Sequence, residues 1–476
     1  MIVFCSRHYR VLAAGVLVLA AFNLAFRLNS EVVAEWDESL YAQSAWEMTQ
    51  SGNWIAPTRL GAVDYYNTKP PLLIWLIALA FKGFGVSLWS LRLASVLGAW
   101  LTVAVLQGWT RRYFGPAAAL LASLVLSTSY AFMYVHSGKS ADTDALFTLL
   151  MLLTVVALCA GERRRWLLAW LGPIAAATFM LRGMAVLMPL AVVAFVEVFR
   201  ERPRRQRVMP LAAATLLCVA PVAAWCAARW QVDQSRFLER LFFFDFVARG
   251  TEPLEGHAGN VLYYLDILQR HHYGWLVAAA ASLVLFPVPL ARVRSALPAY
   301  WREDRARFVL IGGWIAATVV IPTLMATKTP WYLNPFYPVF AIGVASLLVR
   351  GLSRQGQDVR RRALATVLAI VILVAEGRLI WTSYHRRDPS RTVQGLLFAE
   401  RDHIRGQRVY RDRWNNAEVF VLDALVGAKR GLSKDVTHFL RESRPGDYLV
   451  STPNLNHPEL TLVRRDRMGT LYRRKI

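Results

Sequence analysis

Two carboxylates, Asp37 and Glu38, stand in the stretch AEWDESLYAQSAWEM (residues 34–48), just beyond the first apolar run of the chain. Further on, HSGKSADTDALF brings Asp142 and Asp144. Scattered cations accompany them: Lys69 before a Pro pair, Arg182 between two apolar runs, Arg249 in a long polar stretch, and Lys328 in ATKTPWYLNPFYP. A carboxylate within hydrogen-bond reach of a hydroxyl can take its proton as a new bond forms. Cations placed where negative charge develops favour the transition state over the ground state. At a membrane surface this inventory suits transfer from a lipid phosphate to an acceptor hydroxyl. The sequence contains no Walker loop, dinucleotide fingerprint, H-E-x-x-H or cysteine metal spacing, so no soluble nucleotide cofactor is expected.

Each residue also has a plainer reading. Acidic groups at a helix start suit the positive end of its dipole or cap its open N–H groups. Those roles are expected for Glu38 and Asp142 respectively, while Asp37 is expected to be the general base. Asp37, Tyr41, Ser44 and Met48 fall at i, i+4, i+7 and i+11 and share one helix face. The same loop runs on to Lys69-Pro70-Pro71, which aims an apolar segment at the membrane and leaves Lys69 at the water–lipid boundary. A Lys there serves equally well as a snorkelling anchor. An Arg at mid-membrane costs ~2.5–3.5 kcal/mol even on the lenient insertion scale, so Arg182 is expected to turn toward a polar cavity or an anion. Arg249, His257, Tyr263 and Tyr264 lie in the long segment 229–273, and Tyr332 accompanies Lys328.

The composition indicates what must hold these groups. Of 476 residues, 55% are hydrophobic and 17 are Trp, far more than a soluble core uses. The net charge of +23 is concentrated in gaps between apolar runs, at 111, 163, 200, 292–307 and 350. Such a pattern fits loops held against an anionic leaflet rather than nucleic acid. With basic loops inside, the amino terminus is cytoplasmic and about eleven spans follow, near 10–28, 87–109, 116–135, 144–160, 166–181, 183–199, 208–228, 274–291, 308–326, 331–349 and 363–381. An odd count sends the tail to the opposite side, the periplasm of a bacterium. The first span has no small-x-small cleavage site after it and is expected to be a retained anchor. Cys218 and Cys226, eight residues apart on one helix, lie about 12 Å apart, so no disulfide is expected.

Against this background, W-D-E-x-x-Y-A (36–42), S-G-N-W-x-x-P (51–57), Y-x-x-K-P-P-L (66–72) and R-L-A-S (92–95) resemble the amino-terminal half of the polyprenyl-phosphate-dependent GT-C glycosyltransferases. The resemblance is strongest to the lipid A 4-amino-4-deoxy-L-arabinose transferase family and more distant to the protein O-mannosyltransferases. It extends over residues 9–350 through D-A-L (144–146), R-G (182–183), G-H (256–257) and T-K-T-P-W-Y (327–332). It implies an inverting enzyme with Asp37 and Asp144 as catalytic carboxylates. Lys69, Tyr66 and Tyr332 would hold the donor phosphate, with Arg182, Arg249 and Lys328 as further cations. Glu38, Tyr41, Asp142 and His257 are additional candidates. The family's metal-binding Glu is replaced by Thr68, and its metal-binding His falls near Phe246. No metal or other cofactor is therefore expected.

The expected fold is an α-helical polytopic membrane domain of GT-C type over 1–384, with interfacial helices in the outer loops 29–86 and 229–273. A small periplasmic α/β domain is expected over 385–476, where RVYRD, EVFVLDA, DYLVST and ELTLVRRD read as strands and 433–443 as a helix. The expected partners are a polyprenyl-phosphate-linked sugar, the bilayer of the bacterial inner membrane, and a lipid, glycan or protein acceptor, with the chain acting as a monomer. Two other classes fit part of the pattern: a lipid-linked sugar flippase, and a non-catalytic glycolipid-binding assembly subunit. Transporters often carry internal repeats; none is seen here, which favours an enzyme.

Overall fold

The computed structural model describes residues 2–200, 204–289, 291, 294 and 304–476. Parts of the basic runs at 200–207 and 292–307, and the end of the span expected over 274–291, lie outside the described residues. The chain forms two compact units. One comprises 1–25, 65–72 and 95–380; the other comprises 26–64, 73–94 and 381–476.

The first unit is helical. Over the whole chain, seven described helical stretches are long and apolar enough to cross a membrane: Leu88–Phe114, Asp144–Gly161, Arg165–Val198, Val208–Asp233, Arg305–Leu324, Pro330–Leu352 and Asp358–His385. Tyr9–Ala25, Leu72–Phe84 and Pro116–Ser127 are shorter apolar helices. This is a multi-pass membrane protein. Its helices approach closely where side chains are small. A Cβ on Gly172 would lie 2.3 Å from the Ala214 carbonyl oxygen, and one on Gly98 2.9 Å from Leu146, as expected where packing rather than hydrophobicity joins helices in lipid.

The stretch Arg165–Val198 is two passes. The chain breaks at Arg182 (φ −146°) and Gly183 (φ +56°). A Cβ at Gly183 would also sit 2.6 Å from Leu241, so both backbone and space require glycine there. Arg182 ion-pairs with Asp144 at the start of Asp144–Gly161. At the far end, Arg207 holds Glu162, at 2.9 Å, together with Glu197. Leu171–Arg182 therefore returns to the start of that helix, and Leu187–Val198 runs back to its end. With the 3₁₀ segments Arg165–Trp170 and Gly183–Val186, each pass is about 25–30 Å long, enough for a hydrocarbon core. The expected break between 181 and 183 is thus present.

The segment 229–273 is more helical than a loop. Arg236–Phe242 and the π-helical Phe243–Ala248 precede Tyr263–Leu285, which begins eleven residues ahead of the expected span.

In the second unit, helix Asp37–Ser51 ends at Gly52 in the left-handed conformation (φ 71°). A small hairpin pairs Thr58–Arg59 with Ala62–Val63. The tail forms a five-stranded sheet in the order Lys429–Leu432, Arg408–Arg411, Tyr448–Ser451, Gly469–Arg474, Leu460–Asp466. The first two pairings are parallel and the last two antiparallel. Three expected strands and the helix Val436–Glu442 are present. EVFVLDA is not a strand: Asn415 and Glu418 form a reciprocal capping box that starts helix Asn416–Phe420, which continues as a π turn through Val426. Local capping overrides the β-branched composition at that site.

Candidate active site

The membrane unit gathers polar groups at one end of its helices. Asp144 is the first residue of Asp144–Gly161 and is buried, and its partner Arg182 is buried at the end of Leu171–Arg182. The guanidinium lies 5.3 Å from the Phe147 ring centre and 5.4 Å from that of Tyr332. Two aromatic faces and one carboxylate thus fix its plane. The arginine expected to turn toward an anion is held beside a carboxylate of its own chain.

Asp142 is buried and is not a helix cap. The N-cap is Thr143, whose side chain makes no capping bond, while the Ser140 hydroxyl donates to the Asp142 carboxylate. The capping role fails because the helix begins two residues later than Asp142. His136 Nδ1 lies 3.4 Å from Asp142 Oδ1, and the His136 backbone is in the left-handed region (φ 49°). Its ring stacks on Trp331 at 3.8 Å, and His257 meets the same indole edge-on at 5.8 Å. His136 and Trp331 lay within the polar stretches of the sequence, but no spacing rule linked them, because their contact joins segments almost 200 residues apart.

The cations differ in their surroundings. Lys328 is buried, and its ammonium donates to the carbonyls of Thr323 (2.8 Å) and Met325 (2.5 Å). Its backbone N–H donates to the His257 carbonyl at 2.9 Å. This arrangement ties the end of one helix to the long segment and uses the charge on peptide dipoles. Arg249 pairs with Asp245 (2.9 Å) and Glu255 (3.6 Å). Tyr66, half exposed, donates to Glu255 at 3.3 Å. Glu255 thereby links the Tyr66–Lys69 segment to Arg249. Lys69 is half-buried, and its backbone N–H donates to the Asn67 side chain at 3.2 Å. Pro70 lies 3.7 Å from where a Gly183 Cβ would be, which sets this segment against the Arg182 turn.

As metal donors, His136 and Asp142 in this unit offer one imidazole and one carboxylate. At the two positions that the resemblance marks, no charged or imidazole ligand stands. Thr68 is a buried hydroxyl, and Phe246 has no donor atom.

In the second unit Glu38 lies in the first turn of its helix, as expected, but it does more than face the dipole. It is buried (1% exposed). Its Oε1 accepts from Arg92 Nε at 2.7 Å, and its Oε2 accepts from Arg92 Nη2 (3.2 Å), Arg387 (2.9 Å) and the Ala34 N–H (2.8 Å). Arg92 also donates to the carbonyls of Leu28, Glu31 and Val32. Burial alone would raise the Glu38 carboxyl, but the charges of Arg92 and Arg387 and these hydrogen bonds prevail and hold it at about 2. Local spacing could not reveal this enclosure, because Arg92 and Arg387, the partners that draw Glu38 inward, lie 54 and 349 residues away. Asp37, half-buried, opens the same helix, and Tyr41 is buried one turn further on.

Comparison with known proteins places this geometry in context. Residues 68–225 match the family model described as dolichyl-phosphate-mannose-protein mannosyltransferase. The undecaprenyl phosphate-alpha-4-amino-4-deoxy-L-arabinose arabinosyl transferase of Pseudomonas aeruginosa strain UCBPP-PA14 is 30% identical over 375 residues, covering 75% of this chain and 64% of the relative. Its counterpart in Pseudomonas savastanoi pv. phaseolicola is 28% identical over 349 residues, covering 71% and 62%. The chain thus spans a little under two thirds of the length of these curated relatives. Among solved structures, ArnT from Cupriavidus metallidurans bound to undecaprenyl phosphate superposes with a TM-score of 0.69 at 16% identity, covering 98% of this chain and 97% of the other. The Archaeoglobus fulgidus oligosaccharyltransferase gives 0.55 at 12% identity, covering 88% and 63%. The fold is of this GT-C type.

Proposed function

We propose that this chain, which belongs to the GT-C group of the aminoarabinose transferases, moves a sugar from a polyprenyl-phosphate donor to an acceptor hydroxyl at the periplasmic face of a bacterial inner membrane. The observation that supports this most is the Asp144–Arg182 pair at the turn between two membrane passes, next to Tyr332 and the Pro70 segment that bears Lys69. In a donor phosphodiester one negative charge is present before reaction. The departing polyprenyl phosphate gains a second as the glycosidic carbon–oxygen bond breaks. A guanidinium already oriented by a carboxylate and two aromatic faces needs little reorganisation to receive that charge. Asp144 then acts as a positioning residue for Arg182, while Lys69 reaches the phosphate from the water–lipid boundary and Arg249 and Tyr66 line the approach. Lys328 supports the loop that carries Tyr332.

Asp37 is the base in this reading, on the resemblance of the first loop. It takes the acceptor proton as the acceptor oxygen attacks the anomeric carbon, and the sugar inverts. The acceptor is a lipid A, glycan or protein hydroxyl, and catalysis needs no metal. The purified protein, supplied with a polyprenyl-phosphate sugar, should lose turnover by about 10³-fold in Asp37→Asn, within the usual range for a general base, and retain donor binding. Wild-type turnover should persist in EDTA. Near-normal transfer by Asp37→Asn sinks the base assignment; complete loss in EDTA with recovery on adding zinc or magnesium sinks the metal-free mechanism.

A further inference from the structure

The second unit contains an open cleft of about 990 Å³, at the upper end of the ~300–1,000 Å³ typical of small-molecule sites. Its walls are built from three separate pieces of chain. Trp46 comes from helix Asp37–Ser51, Leu60 from the tip of the hairpin, and Trp414, Asn416 and Asp423 from the tail. Glu47, next to Trp46, accepts from the Thr58 hydroxyl (2.8 Å) and the N–H groups of Leu60 (2.6 Å) and Gly61 (3.2 Å), which fixes the hairpin tip at the rim. Arg59 donates to the Asn416 side chain at 3.2 Å. The Trp414 indole N–H donates to the Gly431 carbonyl at 2.9 Å and locks that ring against the edge strand Lys429–Leu432. Gly431 must be small: a Cβ there would lie 2.5 Å from the Tyr410 ring.

The lining chemistry is specific. Two indoles, each partly exposed, offer apolar faces in a cleft that mixes the exposed Leu60 and Leu432 with charged side chains. The C–H face of a pyranose packs on such a face, its positively polarised hydrogens against the negative ring quadrupole. Asp423 and Arg430, paired at 2.8 Å, place an acceptor and a donor side by side, as neighbouring sugar hydroxyls require. Arg413 and Lys429 are exposed and also line the cleft. A lipid tail alone, like a neutral sugar, would leave those two cations unused.

We propose that this cleft binds the saccharide portion of the acceptor, with Trp46 and Trp414 stacking on sugar rings and Arg413 and Lys429 selecting a sugar that bears a phosphate or carboxylate. The assignment of the ligand as acceptor rests on the transferase reading above. The test therefore includes a binding measurement that needs no turnover. Saturation-transfer NMR on the full chain in micelles, with glucosamine 1-phosphate as probe, should show transfer to the pyranose protons. The signal should be weaker for glucosamine, and excess inorganic phosphate should displace the sugar phosphate only partly. Trp414→Ala, and separately Trp46→Ala should the first variant misfold, should weaken binding and raise the acceptor KM about tenfold, the loss of one stacking contact, with donor KM unchanged. The double variant Arg413→Gln/Lys429→Gln should abolish the preference for the phosphorylated sugar. Full displacement by inorganic phosphate would show a simple anion site and overturn the proposal. So would absence of saturation transfer, or an acceptor KM unmoved in both tryptophan variants while transfer proceeds. A protein that binds the probe through the tryptophans but transfers no sugar would instead refute the transferase reading and keep the cleft.

Discussion

Two carboxylate–arginine pairs, one in each compact unit, look alike in sequence and differ in surroundings. Glu38 meets two arginines and a backbone N–H, and its partner Arg92 spends its remaining donors on three main-chain carbonyls; the side chains of both are fully enclosed. Asp144 meets Arg182 at a turn between membrane passes, where the guanidinium keeps a tenth of its side-chain surface exposed between Phe147 and Tyr332. The first pair joins residues 28–38, 92 and 387 into one unit and has no room for a ligand. The second leaves part of the Arg182 side chain exposed, as the proposed phosphate role requires. A buried ion pair is therefore evidence of function only when one partner retains an accessible side; enclosure on every side makes it a clamp for the fold.

The contrast can be broken by substitution. The double variant Arg182→Met/Asp144→Asn should lower turnover about 10²–10³-fold, as for loss of a preorganised charge stabiliser, and, since neither charge is left buried alone, shift the melting temperature little. Unchanged kcat measured with saturating donor would remove Arg182 from the chemistry. Arg92→Leu should act the other way. Leaving Glu38 buried without its main partner costs ~3–5 kcal/mol, so the protein should unfold at markedly lower temperature and yield less folded material. A variant that melts normally but is inactive would transfer the catalytic role to the Glu38 pair.

The smallest effect sharpens the same contrast through pH. The Glu38 carboxyl is held at about 2 in the folded state against 4.5 as its ordinary value. Its contribution of about 3 kcal/mol is therefore fully present above pH ~4.5 and is lost as pH falls toward about 2. Thermal melts of the solubilised protein should show a drop over that window that disappears in Glu38→Gln. The same drop in Glu38→Gln would assign the acid sensitivity to other groups.

Much of the architecture was legible in the chain because it depends on local pattern. The apolar runs are long enough to span a bilayer, Gly183 marks the turn between two passes, and three tail strands form where short runs of β-branched and aromatic residues predict them. EVFVLDA failed for an equally local reason, since its capping box outweighed its β-branched residues. The candidate site was only half legible. W-D-E marked the start of helix Asp37–Ser51, yet spacing alone could not show that Glu38 is enclosed by arginines or separate the cap from the ion pair at Asp142 and Asp144.

By itself, the sequence determined which segments are too apolar for water and that the basic residues gather in the gaps between them. It also determined where glycine or a cap must end an element, because these are properties of neighbouring residues and their solvent. Only the tertiary structure decided which charges are satisfied internally. Arg92 and Arg387 reach Glu38, Arg182 reaches Asp144, and Lys328 turns to carbonyls, all through partners brought together by packing. Whether an ionised side chain serves the fold or a ligand depends on the low-dielectric surroundings that distant segments build around it, and linear spacing does not contain that information.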